Sequence, residues 1–580
     1  MDLSGLSKLI SLAERIRRSE FVVGITLGVA VGIGTGLGAV AFRRLIELVH
    51  LGFFEDGGRL LSFLGQYYVI ILPAIGGLIV GLLLYFTRTT EAKGHGVPEV
   101  MEAVAARGGK IRTRVAGVKI LASAICIGSG GSAGREGPIV QIGSSLGSML
   151  AQSLHLPEEW VKTLVACGAA GGISATFNAP IAGVFFAHEV ILGRILTKHF
   201  GFVVISSVVA DVIAHTFLGN MQTFSIPSYA LTSNWEFPLY AALGILAAVI
   251  GIAFTRTLYK FEDLFDIIRF PEYLKPAVGG LIVGIIGIFS PYLFGVGYDG
   301  VEQALLGNIG ITILVGLLFL KILATSFTLG SGGSGGIFAP SLFMGAMLGG
   351  TFGELANMAW PGVVAPSGAY ALVGMAAVFS AAARAPITSI IILFEMTRDY
   401  PIMLPLMLTV VVSTLISYAI SRDSIYTIKL KRKGIQVGPR EEVSLLEKVT
   451  VREVMTPDFP TVPMDMPVTE LMQLFAKTKH HGFPVVDKKK HLYGMVTLND
   501  IETNMKEEQQ KATVSDVATV NLITAYPDES LHAVIDRLGD SEVGHIPVID
   551  RRNPQRMVGV LRRHDIVKAY VKSLTRLHRG

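Results

Sequence analysis

The sequence predicts an all-α, multi-helix membrane domain made of two homologous halves, followed by a soluble α/β domain made of two tandem units. The distribution of apolar residues and two internal repeats carry this prediction. Of the 580 residues, 51% are hydrophobic and 16% are charged, whereas soluble domains average roughly 25% charged residues. Long apolar runs fill the chain from Phe21 to Ser421, and the composition from Lys429 onward is that of an ordinary soluble protein.

The apolar part divides into many short segments separated by Gly and Pro residues. Several of them are shorter than the roughly 20 residues that a straight spanning helix needs. Short, interrupted segments are typical of transporters whose broken helices point at a substrate site. We expect membrane helices near residues 21–48, 67–86, 117–127, 138–152, 160–173, 180–195, 201–217, 237–260, 276–292, 309–328, 340–357, 368–382, 386–397 and 403–420.

These segments define a predicted membrane domain at 21–428, preceded by an amphipathic helix at 1–20 and followed by a linker at 429–447. Basic residues flank the apolar part at Arg15–Arg18 and at Lys429–Lys433. Positive charge beside membrane helices favours the cytoplasmic side. We therefore expect both ends of the membrane domain in the cytoplasm.

An internal repeat relates the two halves of the apolar part, roughly 21–217 and 237–421. GSGGSAGREGP, which ends at Pro138, recurs as GSGGSGGIFAP, which ends at Pro340 (340 − 138 = 202). Other segments, such as the Lys-Ile-Leu-Ala sequences that begin at Lys119 and Lys321, recur in the same order at nearly the same offset. In repeat-built transporters the ligand binds where the halves meet, and we expect the same here.

The first copy of the glycine-rich motif holds the adjacent pair Arg135–Glu136, where the second copy has Ile337–Phe338. Pro138 predicts a helix that begins near it, and a helix start suits an anion because it presents free N–H groups and a positive dipole end. The glycines and the proline are common to both copies, which indicates an architectural role. Glu136 is interpreted as a functional group, because ionisable residues inside membranes are usually functional; a salt bridge with Arg135 is the alternative.

A second repeat follows the linker, with tandem units expected at 448–509 and 510–575. Each unit holds a helix, two short β-branched strands and a closing helix, as in Gly482–Asp500 and Gly544–Asp565 for the strand regions. Units of about 60 residues are small for independent stability. We therefore expect the two units to pack together and share a core.

Composition and motifs also exclude several classes of protein. The net charge of +5 comes from basic residues beside apolar segments, which does not indicate nucleic-acid binding. The two cysteines lie in apolar segments, which argues against disulfides and structural zinc, and we expect no metal site. The sequence contains no nucleophile–base combination, so an enzyme is not expected.

Together the motifs resemble the CLC family of chloride channels and proton/chloride exchangers, followed by a tandem pair of CBS domains. The resemblance rests on GREGP, which ends at Pro138, on IFAP, which ends at Pro340, on the Asn-Ala-Pro segment at 178–180, and on Tyr426 after the last apolar segment. It implies an inverted repeat with broken helices, a homodimer with one pathway per subunit, and contact with membrane lipid. It also implies a multi-pass protein of the plasma (inner) membrane with both termini and the CBS domains in the cytoplasm.

The resemblance implies specific roles for residues of the pathway. Glu136 is similar to the family's gating glutamate, whose carboxylate occupies the anion path until it is protonated or displaced. Tyr426 is similar to the central tyrosine that donates to the anion, with an interfacial aromatic as the alternative role. Chloride or another small anion is the expected ligand, and the residues expected to bind it are His95, Gly134, Arg135, Gly137, Ile337, Phe338, Ala339 and Tyr426. Neutral donors suit this task, because conduction needs weak binding at several sites.

Two positions depart from the family pattern. His95, in Gly-His-Gly-Val-Pro, replaces the family's central serine; it is expected to line the pore or to be rotated away from it, and it makes the anion selectivity uncertain from sequence. Val190 occupies the position of the exchangers' inner, proton-relaying glutamate and cannot carry a proton. These features favour a passive anion channel, with a proton/chloride antiporter as the alternative. Glu189 is expected to be paired within the protein or at the dimer interface rather than to relay protons, and Glu395 is expected to be structural.

The soluble units contain a partial nucleotide-binding motif. Thr497 and Asp500 resemble the CBS residues that contact phosphate and ribose, whereas Arg562 replaces the threonine in the second unit and Asp565 is retained. ATP, ADP or AMP is the implied ligand, since an arginine can pair with phosphate. A purely structural domain is the alternative.

Overall fold

The structure is a computed structural model that describes residues 20–194, 199–219, 224, 227, 229–435, 449–478, 480–504, 512–538 and 544–569. The amphipathic helix expected at 1–20, apart from its last residue, and the expected linker beyond residue 435 lie outside the described residues, as do the ends of both tandem units. The chain divides into two compact units, Met1–Val437 and Gly438–Gly580, and each is described by itself.

The first unit is a bundle of helices with several short members. Six of the described helices are long and apolar enough to cross a membrane, and several of the others have 17 residues or fewer, as the interrupted segments predicted. The helices of this unit are α1 (Glu20–His50), α2 (Tyr68–Thr87), α3 (Val97–Ala106), α4 (Thr113–Gly128), α5 (Glu136–Ser153), α6 (Glu158–Phe177), α7 (Pro180–Phe186), α8 (Phe200–Leu218), α9 (Phe237–Ile267), α10 (Lys275–Gly287), α11 (Tyr298–Leu305), α12 (Ile311–Gly330), α13 (Phe338–Ala359), α14 (Ser367–Ala383), α15 (Pro386–Thr397), α16 (Met403–Ile420) and α17 (Thr427–Arg432).

Every predicted apolar segment contains one of these helices, and three short helices, α3, α11 and α17, were not predicted. The segment predicted at 180–195 is shorter than expected as an α-helix: α7 ends at Phe186 and continues as a π-helical turn, Ala187–Ile191. The prediction of a multi-helix membrane domain followed by a soluble α/β domain is confirmed.

The two halves repeat the same backbone conformations at equivalent positions. Gly130 and Gly332 both have φ of 104°, a region that strongly favours glycine. Asn178 and Arg384, which end α6 and α14, both have φ of 58° and adopt the left-handed conformation. The sequence repeat is therefore also a repeat of backbone geometry, including its unusual turns.

Helices α2 and α10 touch backbone to backbone across the halves. A Cβ on Gly77 would lie 2.1 Å from the carbonyl oxygen of Pro276, and a Cβ on Gly280 would lie 2.0 Å from the carbonyl oxygen of Pro73. Small residues allow membrane helices to approach this closely. A glycine of each helix thus leaves room for the backbone at the proline of the other helix.

Two glutamates cap helices of the opposite half. Glu189 accepts hydrogen bonds from the amide and the hydroxyl of Thr388, at 2.8 and 2.6 Å, in the first turn of α15. Glu395 accepts hydrogen bonds from the amides of Ile181 and Ala182, at 3.0 and 2.7 Å, in the first turn of α7. Carboxylates at helix starts satisfy free N–H groups and complement the helix dipole. The expectations that Glu189 is paired within the protein and that Glu395 is structural are confirmed.

The second unit contains two small sheets flanked by helices. Strand β1 pairs in parallel with β2, which pairs antiparallel with β3, and β4 pairs antiparallel with β5. Its elements are α18 (Val451–Val454), β1 (Val462–Pro463), α19 (Val468–Thr478), β2 (Gly482–Val486), β3 (Leu492–Thr497), α20 (Leu498–Asn504), α21 (Val514–Val517), α22 (Leu531–Leu538), β4 (His545–Asp550) and β5 (Asn553–Arg562).

The tandem units exchange edge segments. Thr456, which precedes β1, exchanges backbone hydrogen bonds of 2.9 and 3.0 Å with Val560 of β5. Thr519, which follows α21, exchanges hydrogen bonds of 2.9 and 2.8 Å with Met495 of β3. Each unit therefore completes the sheet of the other, in accord with the expectation that the two pack together.

Candidate anion pathway

The two glycine-rich motifs meet at the starts of α5 and α13. The amide of Gly134 donates to the carbonyl of Gly336 at 2.8 Å, and the amide of Gly336 donates to the carbonyl of Gly134 at 2.5 Å. This exchange corrects the expectation that the Gly134 amide binds an anion, because an N–H group already donated to a carbonyl is not available to an anion. The shared glycines instead join the halves, and the residues that follow them form the helix starts.

The carboxylate of Glu136 lies at this junction and is buried, with 1% of the residue exposed. Its Oε1 accepts a hydrogen bond from the hydroxyl of Tyr298 at 2.9 Å, and its Oε2 accepts one from the amide of Ala339 at 3.4 Å. The guanidinium of Arg135 lies over the ring of Tyr298, 5.4 Å from the centroid. Among the described ion pairs there is none between Arg135 and Glu136, so the alternative of a salt bridge between these neighbours has no support.

Three backbone amides, those of Gly137, Ile337 and Phe338, come before the first amide that donates a hydrogen bond within its helix. In α5 the first such bond is donated by Ile139, and in α13 it is donated by Ser341. The amides of Gly137, Ile337 and Phe338 therefore belong to the free first turns that favour anions. These three residues line the same small space as Glu136.

His95 is buried beneath this junction, with 4% of the residue exposed. Its Nε2 lies 3.4 Å from the hydroxyl oxygen of Tyr259, and that hydroxyl donates to the carbonyl of Ile425 at 2.6 Å. Because the hydroxyl proton is used on Ile425, we assign the imidazole proton to Nε2, where it is directed at Tyr259. The Nδ1 atom has no partner in the described protein.

Tyr426 is buried, with 1% of the residue exposed, which excludes the alternative of an interfacial aromatic. Its ring centroid lies 6.0 Å from that of His95. The structure brings Tyr426, His95, Glu136 and the start of α13 around one small space. That space has no room for a water molecule and is lined by His95, Val97, Glu136, Gly137, Val140, Ile173, Phe186, Ile337, Phe338 and Tyr426. The Glu136 carboxylate thus lies in the wall of a space that is closed to water.

The position of the family's inner glutamate is apolar in structure as well as in sequence. Val190 is buried, with 5% of the residue exposed, and lies in the π-helical turn after α7. The neighbouring carboxylate of Glu189 is held at the start of α15 by Thr388. Val190 therefore has no titratable group, and the carboxylate of Glu189 is bound to Thr388 rather than directed at the junction.

Sequence reasoning missed the roles of four polar side chains around the pathway. Tyr298 could have been found from the repeat, because the Gly-x-Gly sequence before it matches the Gly-x-Gly sequence before Val97. The two residues occupy equivalent positions in the halves, and only Tyr298 is polar. Lys119 and Lys321 were seen as part of the repeat, but their role was not; their ammonium groups donate to backbone carbonyls, Lys119 to Gly94 at 2.7 Å and Lys321 to Gly295 at 3.2 Å. Tyr259 gave no signal within the long apolar helix α9.

In the soluble unit the nucleotide-motif residues bind one another. Asp500 accepts hydrogen bonds from the amide and the hydroxyl of Thr497, both at 2.7 Å, and from the hydroxyl of Thr519 at 3.0 Å. Asp565 accepts from Arg562 at 2.7 and 2.9 Å. In both units the aspartate is thus a local cap, and in the second unit it also neutralises the arginine.

One histidine of β4 lies close to this arginine. His545 pairs with Arg562 across β4 and β5. Burial, and then the positive charge of Arg562, hold the pKa of His545 below its ordinary value. The imidazole is therefore neutral near pH 7 and adds no positive charge beside the Arg562–Asp565 pair.

Comparison with known proteins agrees with this architecture. The family described as Voltage gated chloride channel matches residues 76–418, and the CBS domain family matches residues 451–507 and 514–572. The chain is 37% identical over 367 residues to the Putative chloride channel protein ClcB-like of Ralstonia nicotianae, which covers 63% of this chain and 85% of that protein. It is 30% identical over 560 residues to the Chloride channel protein CLC-f of Arabidopsis thaliana, covering 83% of this chain and 70% of that protein.

Solved structures with the same fold include a slow cyanobacterial Cl−/H+ antiporter, at 26% identity and a TM-score of 0.65, covering 71% of this chain and 97% of that one. A eukaryotic CLC transporter, at 20% identity and a TM-score of 0.61, covers 94% of this chain and 98% of that one and shares the fold. The paired helix starts, the buried glutamate and these matches have one conclusion: the chain belongs to the CLC family of voltage gated chloride channels and carries tandem CBS domains.

Proposed function

We propose that this protein conducts chloride across the membrane through the junction of α5 and α13, with Glu136 as the gate. The observation that carries the proposal is the buried carboxylate, which accepts hydrogen bonds from Tyr298 and Ala339 in the position suited to an anion. Protonation of a carboxylate removes the charge that holds it among donors. The gate then releases its place to chloride, so conduction rises as the pH falls.

The other pathway residues either donate hydrogen bonds to the anion or limit the width of the path. The amides of Gly137, Ile337 and Phe338 and the hydroxyl of Tyr426 supply neutral donors, which bind an anion weakly enough to let it leave. His95 narrows the path beside Tyr426, and its Nε2 proton is directed at the hydroxyl oxygen of Tyr259. We propose that His95 shapes the path for size and does not act as a donor to the anion.

A passive channel is favoured over exchange by the two residues at the inner position. Val190 has no proton to carry, and the carboxylate of Glu189 is committed to Thr388. Proton/chloride antiport is the second candidate, favoured by the likeness to the cyanobacterial Cl−/H+ antiporter. An antiporter of this sequence would have to move protons to Glu136 through water.

Paired flux measurements on proteoliposomes test both the gate and the mode of transport. We expect a chloride gradient to drive chloride efflux without stoichiometric proton movement, and we expect the efflux to rise as the pH falls. Glu136→Gln should conduct at all pH values with a flat profile, since an amide resembles the protonated gate. Uphill proton movement driven by chloride would establish the antiporter instead, and a wild-type pH profile in the variant would remove Glu136 as the gate.

The assembly and location follow from the family. We propose a homodimer in the plasma (inner) membrane, with the CBS domains in the cytoplasm. Apolar side chains on α8 and α16, such as Val212 at 55% and Leu415 at 63% exposure, are uncovered in one chain. A second subunit or membrane lipid suits such faces.

A further inference from the structure

Tyr298 is the strongest side-chain contact of the Glu136 carboxylate. The hydroxyl lies 2.9 Å from Oε1, whereas the amide of Ala339 lies 3.4 Å from Oε2. Hydrogen bonds to charged groups are stronger than neutral ones and weaken with distance. Of the two hydrogen bonds that the carboxylate accepts from these residues, the one from the phenol is therefore the stronger, and we call it the clamp.

The repeat places Tyr298 where the other half has no donor. Tyr298 begins α11 after Gly297, and Val97 begins α3 after Gly96; both glycines have φ of 80°. Glu136 has an apolar counterpart in the same way, Phe338 at the start of α13. Each half thus carries one polar residue where the other half has an apolar one, and the two polar residues bond to each other.

The ring of Tyr298 is held in place on two sides. Phe224 packs edge-on against it, with 5.5 Å between centroids, and the guanidinium of Arg135 lies 5.4 Å from its centroid. Tyr298 is half-buried, whereas Glu136 is buried. The hydroxyl is therefore a neutral donor that the ring contacts hold against the gate.

We propose that Tyr298 is a positioning residue of the gate: its hydroxyl holds the Glu136 carboxylate in the pathway and donates to the small monovalent anion that replaces it. The inference rests on the proposed role of Glu136. The proposal adds to the gate a group that sets how readily the Glu136 carboxylate leaves the pathway, and it adds a side-chain donor for the anion that takes the place of the carboxylate.

Other charged or titratable groups face this contact and remain in every variant considered. Arg135 lies on the same helix start, Arg43 of α1 interacts electrostatically with Tyr298, and Tyr426 interacts electrostatically with Glu136. None of these groups lies within hydrogen-bond distance of Oε1 of Glu136 in the described structure, so none of them can replace the hydrogen bond from the Tyr298 hydroxyl. A substitution at Tyr298 therefore removes the clamp and leaves the surrounding charges in place.

The test is the pH profile of chloride efflux in Tyr298→Phe. Without the clamp the carboxylate is more easily displaced, so we expect the half-maximal pH to rise by about one unit, which is roughly a tenfold change in the proton requirement. In the Glu136→Gln background, Y298F should leave the profile unchanged. Tyr229→Phe is the matched control, because its buried hydroxyl donates to the carbonyl of Leu305 and not to the gate.

A wild-type profile in Y298F, with normal folding, would overturn the inference while leaving the gate intact. A pH-independent wild type or a pH-dependent E136Q would instead overturn the proposed gate itself. If Y298F does not fold, site-specific 3-fluorotyrosine at position 298 offers a stronger donor of nearly the same size. It should move the half-maximal pH downward, and an unchanged or raised value would contradict the clamp.

Discussion

At the scale of single residues, the pathway contains groups that both halves share and groups that only one half carries. The shared residues, such as Lys119 and Lys321, bind backbone carbonyls and hold the loops that precede α3 and α11. The unshared residues, Glu136 and Tyr298, bind each other. The backbone scaffold is thus common to both halves, and the polar contact lies at positions where the halves differ.

The crossed caps lead to a prediction about stability. Glu189→Gln and Glu395→Gln each lose the charge at a helix start, and we expect each to lower the free energy of unfolding by about 1 kcal/mol. Thermal unfolding in detergent measures this, and the two variants should agree because the caps are equivalent. The ratio of proton to chloride flux should not change in E189Q; a loss of proton movement in that variant alone would identify Glu189 as a proton relay.

Residues with a motif around them could be predicted, and isolated ones could not. Glu136 and Tyr426 stand in short patterns that indicate their place, and the structure brings both to one space. Gly134 was assigned to the anion because a glycine-rich helix start suggests free amides. Its amide is instead paired with Gly336, a long-range contact that no local pattern encodes. Tyr259 was missed for the same reason.

At the scale of helices, the closest contact between the halves is that of α2 with α10. Gly77→Ala and Gly280→Ala would each push a methyl group into a carbonyl oxygen about 2 Å away. Overpacking of this kind costs roughly 1–3 kcal/mol, so both variants should unfold at lower temperature than the wild type.

Gly117→Ala in α4 is the matched control for these two variants. No atom lies within 4 Å of a Cβ at this position, and alanine is favoured over glycine inside a helix by about 0.5–1 kcal/mol. This variant should therefore be as stable as the wild type or slightly more so. Equal losses in all three variants would show that the contact between α2 and α10 is not the cause.

Helix bounds were predictable where apolar runs are long, as in α15 and α16, whose observed bounds equal the predicted ones. The short helices α3 and α11 were missed because their 10 and 8 residues mix charged and apolar side chains. Tertiary packing, rather than local propensity, stabilises helices of this length. Helix α11 begins with Tyr298, and α3 begins two residues after His95. The helices that the sequence predicts least well therefore lie beside the site.

At the scale of the whole molecule, the soluble unit holds one nucleotide-type motif in each tandem unit, and the first tandem unit offers the better candidate site. Asp500 is bonded to neutral hydroxyls and an amide, whereas Asp565 is neutralised by Arg562. A ribose can replace hydroxyl partners more easily than it can replace a bidentate guanidinium. We therefore propose that adenine nucleotide binds at Thr497 and Asp500.

Calorimetry on the full-length protein with ATP, ADP and AMP tests this proposal. We expect binding heat in the wild type and a loss of at least tenfold in affinity in Asp500→Ala. Asp516→Ala is the control, because Asp516 makes the same kind of cap with Thr513 outside the motif. The absence of heat with any of the three nucleotides would leave the soluble unit with a structural role.

The crossed caps also have a consequence for synthesis on the ribosome. The start of α7 is completed by Glu395, which the ribosome adds more than 200 residues after Ile181. Until then the first half carries free amides that a lipid environment cannot satisfy. The nascent first half must therefore wait, loosely packed or held by the insertion machinery, for its duplicate to emerge. A chain truncated before residue 395 should be recognised as incomplete and degraded, even though every residue of its first half is present.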